Sequence, residues 1–416
     1  MTGGFSDLCQ EYRIRSVEAL DALDGKRVLV RVDFNVPMDS TGKILGTVRV
    51  TAALQTIQFL RERGAKVILI THLGQPRAVQ NGERPSVSCL LPLLRQLLDI
   101  PMYFVAEKVG VQEINAIPDD VLILENIRFQ QGEELNDPDF ARYLASLADI
   151  YVNDAFSCSH RKHASIVTVP RLIPGYAGLG LLKELQQLEE NLGKFFKGDR
   201  DSSHIMAIIG GKKTSTKFPL LLALAHKVDI LAVVGSMANA FLHALGYDVG
   251  QSLYEEDIVE QVREFIFMHN AKMHIVLPKD IMYLEPLAEG QERCGLVDVG
   301  PNLILPKSAK ILDIGPNAVQ EIYSNLLAVS AVIWNGPAGC YEDQRFSAST
   351  HTIGRYIAKL IQSKQLASVV GGGDTLAALS AAGFLNSMSC VSTAGGAFLA
   401  WLENQFLPGI KALQYD

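Results

Sequence analysis

Eight residues, Gly210-Gly211-Lys212-Lys213-Thr214-Ser215-Thr216-Lys217, place two glycines, three lysines and three hydroxyls directly after the apolar run HIMAII. Free backbone N–H groups at a helix start attract phosphate, and lysines nearby add to the attraction. The stretch is not a Walker A loop, because the spacing G-x-x-x-x-G-K-[ST] is absent. A second edge, Gly371-Gly372-Gly373-Asp374-Thr375, is no dinucleotide fingerprint either, since Leu376 stands where glycine is required. Both point to a phosphate site of another kind. Asp374 reads equally as a helix cap or as a ligand for Mg²⁺ bridging nucleotide phosphates, an ion that often uses only one or two carboxylates. Gly395-Gly396, after Ser392-Thr393, opens the helical stretch AFLAWLENQ and offers a third anion-ready start.

The first half of the chain carries cations that read as strand-end residues: Arg49 in GTVRV, His72 in THLGQP, Arg128 in ENIRF, and the cluster His160-Arg161-Lys162-His163. Guanidinium groups converging on one edge fit a small polyanion, because Arg forms paired hydrogen bonds with carboxylate and phosphate. Taken singly, each is also an ordinary solvated charge. Zinc at His160 and His163 has weak support, since their i, i+3 spacing comes without further Cys or acidic ligands nearby. Asp33 and Asn35 flank Phe34 in RVDFNVP. If the strand persists there they share a face, and a carboxylate beside an amide can fix a hydroxyl. The alternative is a turn before Pro37.

Such groups need a frame. Apolar runs recur along the chain (KRVLVRVDF, AKVILITHL, VLILENI, ADIYVND, HIMAIIGG, DILAVVGS, HIVLPKD, AKILDIG, AVIWNGP, SVVGGGD), many separated by amphipathic stretches such as TAALQTIQFLRERG and TIGRYIAKLIQSK. Runs of this kind are strands covered on both faces. Their alternation with helices predicts parallel α/β architecture, whose ligands bind at the carboxyl ends of the strands. KELQQLEENLGKFFKGDRDSSH, near 183–203, reads as an amphipathic helix followed by a polar loop, a domain boundary.

The chain has 416 residues, long enough for more than one domain, and a formal charge of −7. With no basic tract, it is not expected to bind nucleic acid. No window is long and apolar enough for a membrane span, and MTGGFSDLCQEYRIRSVEAL lacks the apolar core of a secretion signal, so a cytoplasmic protein is expected. Six scattered cysteines without a C-x-x-C pair argue against a zinc ribbon or disulfide framework. No coiled-coil heptads suggest assembly, and a monomer is expected.

The strings GKRVLVRVDFNVP, HLGQP, LENIRF, YVNDAFSCSHRKHAS, WNGPAG, GGGDT and STAGGA occur in this order, and in them the chain resembles the phosphoglycerate kinase family, from about Asp24 to LPGIKAL. The resemblance implies two doubly wound parallel-sheet α/β domains joined by a helical hinge. Residues 1–185 would form the acidic-substrate domain and 186–403 the nucleotide domain, beginning with the hinge helix, while 404–416 would return to the first. It implies reversible transfer of the ATP γ-phosphoryl group to the carboxylate of 3-phosphoglycerate, giving 1,3-bisphosphoglycerate, with Mg²⁺ accompanying ATP or ADP. By this resemblance Asp33 and Asn35 hold the substrate hydroxyl, and Arg49, His72, Arg128 and Arg161 form a basic patch. Lys213 and Lys217 grip the nucleotide and the phosphoryl in flight, Asp374 the magnesium, and Gly395-Gly396 the transferred group. Gly211, Gly235, Gly372, Gly373 and Thr375 belong to the nucleotide edge. Asn335, Pro337 and Glu342 line the adenosine side, with Glu342 accepting from the ribose. The chemistry is consistent: joining two anions needs positive charge and exclusion of water, which closing domains supply, more than it needs an acid or base.

Departures from the family pattern gather at the outer ends of the site. Gln75 replaces an arginine in HLGRP, a loss of about 1.5–3 kcal/mol, or about 10- to 150-fold in affinity, and Arg77, two residues on in the sequence, is the candidate to compensate. Lys212, Thr216, Val234, Ser236 and Ala394 differ around the nucleotide, and the side chains of Lys212, Val234 and Ser236 are expected to intrude on the adenine and ribose face. Three readings follow: a glycolytic phosphoglycerate kinase, a paralogue acting on another carboxylic acid, and a non-catalytic nucleotide-binding protein on the same scaffold.

Overall fold

Apolar runs without alternation have no side to offer to water, so they become strands covered on both faces. The computed structural model, which describes residues 5–39, 41–74, 85–197, 204–301, 303–392, 394–404 and 406–415, shows this in two separate sheets. The chain divides into two compact units, one of Met1–Gln186 with Asn404–Asp416 and another of Gln187–Glu403. The boundary falls within the helical run 179–197. The polar loop read at 198–203 lies outside the described residues.

The first unit holds β1 (Arg27–Val32), β2 (Lys66–Ile70), β3 (Tyr103–Val105), β4 (Val121–Leu124), β5 (Ile150–Asp154) and β6 (Gly175–Ala177), in the spatial order β3-β4-β2-β1-β5-β6. All neighbours are parallel. The winding reverses between β1 and β5. Helices cover the faces: in Val48–Glu62 the buried Val50, Ala53, Ile57 and Leu60 recur every three or four residues, with each large side chain worth about 1.5–3 kcal/mol of burial.

The second unit holds β7 (Ile205–Ile209), β8 (Ile230–Val233), β9 (His274–Val276), β10 (Asp280–Pro286), β11 (Glu292–Asp298), β12 (Lys310–Ile314), β13 (Ala331–Asn335), β14 (Ala367–Gly371) and β15 (Cys390–Ser392). Six form a parallel sheet ordered β15-β14-β13-β7-β8-β9, whose winding reverses between β7 and β13. Its core includes Trp334, Val234, Ile208 and Ile353. Two expectations need correction. AKILDIG becomes β12, which pairs with β10 in a three-stranded antiparallel sheet rather than in a parallel one. Arg49 lies in the first turn of a helix, not at a strand end, because GTVRV runs directly into the apolar helical repeat of TAALQTIQFL.

The α/β class with two parallel sheets is as expected. Among the described residues no helix is long and apolar enough to cross a membrane, and all six cysteines are free.

Candidate functional site

Open α/β sheets bind ligands beyond the carboxyl ends of their strands where the winding reverses. In the first unit that place lies beyond β1 and β5. The strand β1 ends at Val32, and the Asn35 N–H donates to Asp33 Oδ1 at 3.1 Å, so the turn reading of this stretch is the correct one. Asp33 Oδ2 pairs with Arg49 at 3.1 Å and accepts from the Ser157 hydroxyl. Arg49 Nη1 also donates to the Asn35 carbonyl at 3.0 Å, while Asn35 Oδ1 accepts from the Gly74 N–H at 2.8 Å.

Arg31, near the end of β1, does not stand out among the strand-end cations, although an arginine inside an apolar strand is the signal that marks it. It is buried, and its Nε donates to Ser165 Oγ at 3.1 Å. Its Nη2 lies 3.0 Å from His72 Nδ1. A guanidinium only donates, so His72 Nδ1 accepts and the ring carries its proton on Nε2. Burial, then the charges of Arg31, Arg128, Arg161 and Arg49, drive His72 far below the ordinary histidine range, so the imidazole is neutral. Behind Arg31, fully buried Glu133 accepts from the Ser165 N–H at 3.0 Å and hydroxyl at 2.7 Å. His163 Nδ1 is 3.7 Å from Glu133 Oε1. That contact is not an ion pair, because burial and then Arg128, Arg161 and Arg31 push His163 down to about 4.

Arg128 is the least satisfied member. Nη1 donates to the Gly74 carbonyl at 3.0 Å and Nε lies 3.5 Å from Glu134, but buried Nη2 has no hydrogen-bond partner among the described residues. Burial, then repulsion from Arg161 and Arg31, lowers its pKa from the ordinary arginine value. Asp33, His72 and Cys158 bring ligand atoms within 4.8 Å of one another. Four guanidinium groups nearby, an engaged His72 Nδ1 and a thiol held protonated by burial make this an anion pocket, not a cation site. Gln75 and Arg77 lie outside the described residues.

In the second unit, the reversal between β7 and β13 brings backbone against backbone. Gly336 has φ +109°, and a Cβ there would collide with the Gly210 carbonyl group. Gly211, at φ +127°, faces Lys217, whose Nζ would lie 2.7 Å from a Cβ. Lys217 reaches back from the helix Thr214–Leu224 to donate to the Gly210 carbonyl and, at 3.2 Å, to that of Asn335. Burial pulls its pKa down to about 8, against the attraction of Asp374. Lys213, the N-cap of the same helix, is exposed.

A cavity of about 380 Å³ opens beside this edge, lined by Gly211, Gly235, Pro337, Glu342 and Asp374, with Leu253, Tyr254, Ile311 and Leu312 as its apolar wall. That wall is illegible in the sequence, because it comes from distant loops and from β12. Asp374 sits in the first turn of the helix Gly373–Ala381, whose N-cap is Gly372. Asn335 and Thr375 are buried beneath the edge, and Thr375 Oγ1 accepts from the Gly336 N–H at 2.7 Å. Gly395 and Gly396 stand at a separate helix start after the edge strand β15. Of the three side chains expected to intrude on the cavity, Lys212 and Ser236 line it, but Ser236 Oγ turns to the Gly211 carbonyl at 2.6 Å. Val234 does not intrude, because it is buried in the sheet core.

A guanidinium-lined pocket and a glycine-edged cavity, each at a reversal of an open sheet, fit the two-unit α/β phosphotransferase class. The phosphoglycerate kinase family model matches residues 17–405. The chain is 41% identical over 406 residues to a phosphoglycerate kinase of Rhizobium leguminosarum bv. trifolii, covering 96% of this chain and 98% of that one. It is 41% identical over 409 residues to that of Caulobacter vibrioides, covering 96% and 99%. The solved phosphoglycerate kinase of Coxiella burnetii superposes with a TM-score of 0.80 at 35% identity, covering 96% of this chain and 98% of that one. The chain belongs to the phosphoglycerate kinase family, and it is an ATP-dependent phosphotransferase with a carboxyl group as acceptor.

Proposed function

We propose that this enzyme phosphorylates the carboxylate of 3-phosphoglycerate from ATP, reversibly, with the acid held by the first unit and the nucleotide by the second. The observation that carries the acid site is Arg128, a buried cation whose Nη2 has no partner among the described residues and which stands near Arg31 and Arg161. Such a charge is tolerated when a polyanion completes its bonds. Asp33 and the neutral His72 would orient the substrate hydroxyl and its neighbouring oxygens, and Arg49 and Arg161 would neutralise the carboxylate and phosphate. The acceptor oxygen is already a nucleophile, so no general base is required.

On the nucleotide side, Lys217 would track the phosphoryl group in flight, and Gly395-Gly396 would offer N–H groups to it. Gly211, Gly235, Gly372 and Gly373 would let backbone approach the phosphates, while the exposed Lys213 would join them. Pro337 and Glu342 would line the adenosine side. One carboxylate beside a phosphate edge suits Mg²⁺, and Asp374 would hold it; bound there, the ion would neutralise phosphate oxygens. Transfer requires the two ligands to meet away from water. We place the enzyme in glycolysis as a cytoplasmic monomer.

Coupled turnover of MgATP with 3-phosphoglycerate tests this reading, and a rate of about 1–100 s⁻¹ or faster is expected. Binding of MgATP by calorimetry without turnover would sink it and send the search to other carboxylic acids, with a non-catalytic nucleotide-binding protein as the outcome if none is turned over.

A further inference from the structure

Lys212 and Glu342 arrive from the loops after β7 and β13, and both line the second unit's cavity. Lys212 Nζ lies 3.3 Å from Glu342 Oε1, and Cys340 Sγ lies 3.6 Å from Oε2. Both carboxylate oxygens therefore have donors of their own. A carboxylate's pull on a hydroxyl depends on the charge it has not already shared, and an ammonium is a strong competitor for that charge.

We propose that Lys212 is a specificity-determining residue of this cavity: by holding Glu342 it weakens the carboxylate's grip on the sugar hydroxyls of a nucleotide, so that the polyphosphate decides selection more than the ribose does. The inference rests on the nucleotide reading of the cavity given above. The side chains of the pair are 69% and 46% exposed, so water leaves the pair loose. It biases the pocket without closing it. The hydrogen bond to Glu342 raises the Lys212 pKa, and Asp374 adds attraction from the same cavity, so the residue stays charged and within reach of phosphate.

The test is calorimetric binding of MgATP and of its 2′,3′-dideoxy analogue to the full-length wild type, Lys212→Ala, Glu342→Gln and the double variant. The two ligands share one triphosphate, so any loss of phosphate attraction cancels in the ratio of their dissociation constants. Lys212→Ala is expected to raise the preference for ATP by up to about fivefold, the most that an exposed ion pair withholds from a competing hydroxyl. The double variant is expected to lose that gain. An unchanged ratio in Lys212→Ala, or a gain that survives in the double variant, overturns the role of Lys212. Failure of all four folded proteins to bind MgATP overturns the nucleotide reading itself, and this inference with it.

Discussion

Arg128 is buried and Lys217 half-buried, and desolvation of each cation costs the folded state stability. Arg128 leaves Nη2 unpaired among the described residues, so Arg128→Met removes a desolvated charge and should leave the thermal midpoint unchanged or raise it. The same variant should weaken 3-phosphoglycerate binding by about 10- to 150-fold, the worth of one charge-assisted contact; calorimetry and a thermal melt together check both halves. Lys217 titrates near 8 because desolvation disfavours its charge. Below that pH it is charged in both folded and unfolded states, and the folded state bears the cost of burial. From about 8 to the unfolded lysine value of about 10.4, the unfolded chain binds the extra proton, so this residue's contribution to stability rises with pH. Activity should move the other way, with kcat falling as pH passes about 8. Lys217→Ala should lose about 10²–10³-fold in kcat and abolish that limb of the profile.

At the scale of elements, the strand ends work because helices and loops behind them hold each side chain in one state. Arg31 fixes the tautomer of His72, while Glu133 and Ser165 fix Arg31. Arg31→Met should destabilise the first unit by at least about 1–3 kcal/mol, because it leaves buried polar partners of the guanidinium unsatisfied and removes the charge that offsets the buried Glu133 carboxylate. Denaturant midpoints measure this, and Glu133→Gln in the same chain should recover part of the loss. The reversal between β7 and β13 depends on the absence of a side chain at Gly336. Gly336→Ala combines a positive φ with a backbone clash, and should cost at least about 1–3 kcal/mol and open the cavity edge, read as weakened MgATP binding.

At the scale of the molecule, the chain's last residues belong to the first unit although the second precedes them. Leu407, Ile410 and Leu413 are buried, and Ala412 joins a small core with Cys158, Ile166 and Val167. Each of the three large side chains contributes about 1.5–3 kcal/mol by burial. Deleting 406–416 should therefore loosen the first unit, seen as faster hydrogen exchange across β1, β5 and β6. Both tryptophans, Trp334 and Trp401, are buried in the second unit, so the fluorescence transition should stay in place. A shift of that transition by as much as the exchange effect would show that the units do not unfold separately.

By itself the sequence determined the α/β class, the strand-end position of most polar residues and the family, because unbroken Val- and Ile-rich runs and the glycine and arginine strings after them are local signals. RVDFNVP, GGKKTSTK and GGGDT each mark the end of a strand without reference to the rest of the chain. Tertiary structure alone decided which residues meet. Arg31 reads as part of a strand until His72, just after β2, and the 158–165 segment supply its partners. Val234 and Ser236 read alike as intrusions, yet only the sheet decided that one faces the core and the other the cavity. The antiparallel sheet that carries the cavity's apolar wall is illegible, since β12 reads as apolar whether its neighbours run parallel or antiparallel. Contacts between residues far apart in sequence leave no local pattern, and the charge competition at Glu342 is a contact of that kind.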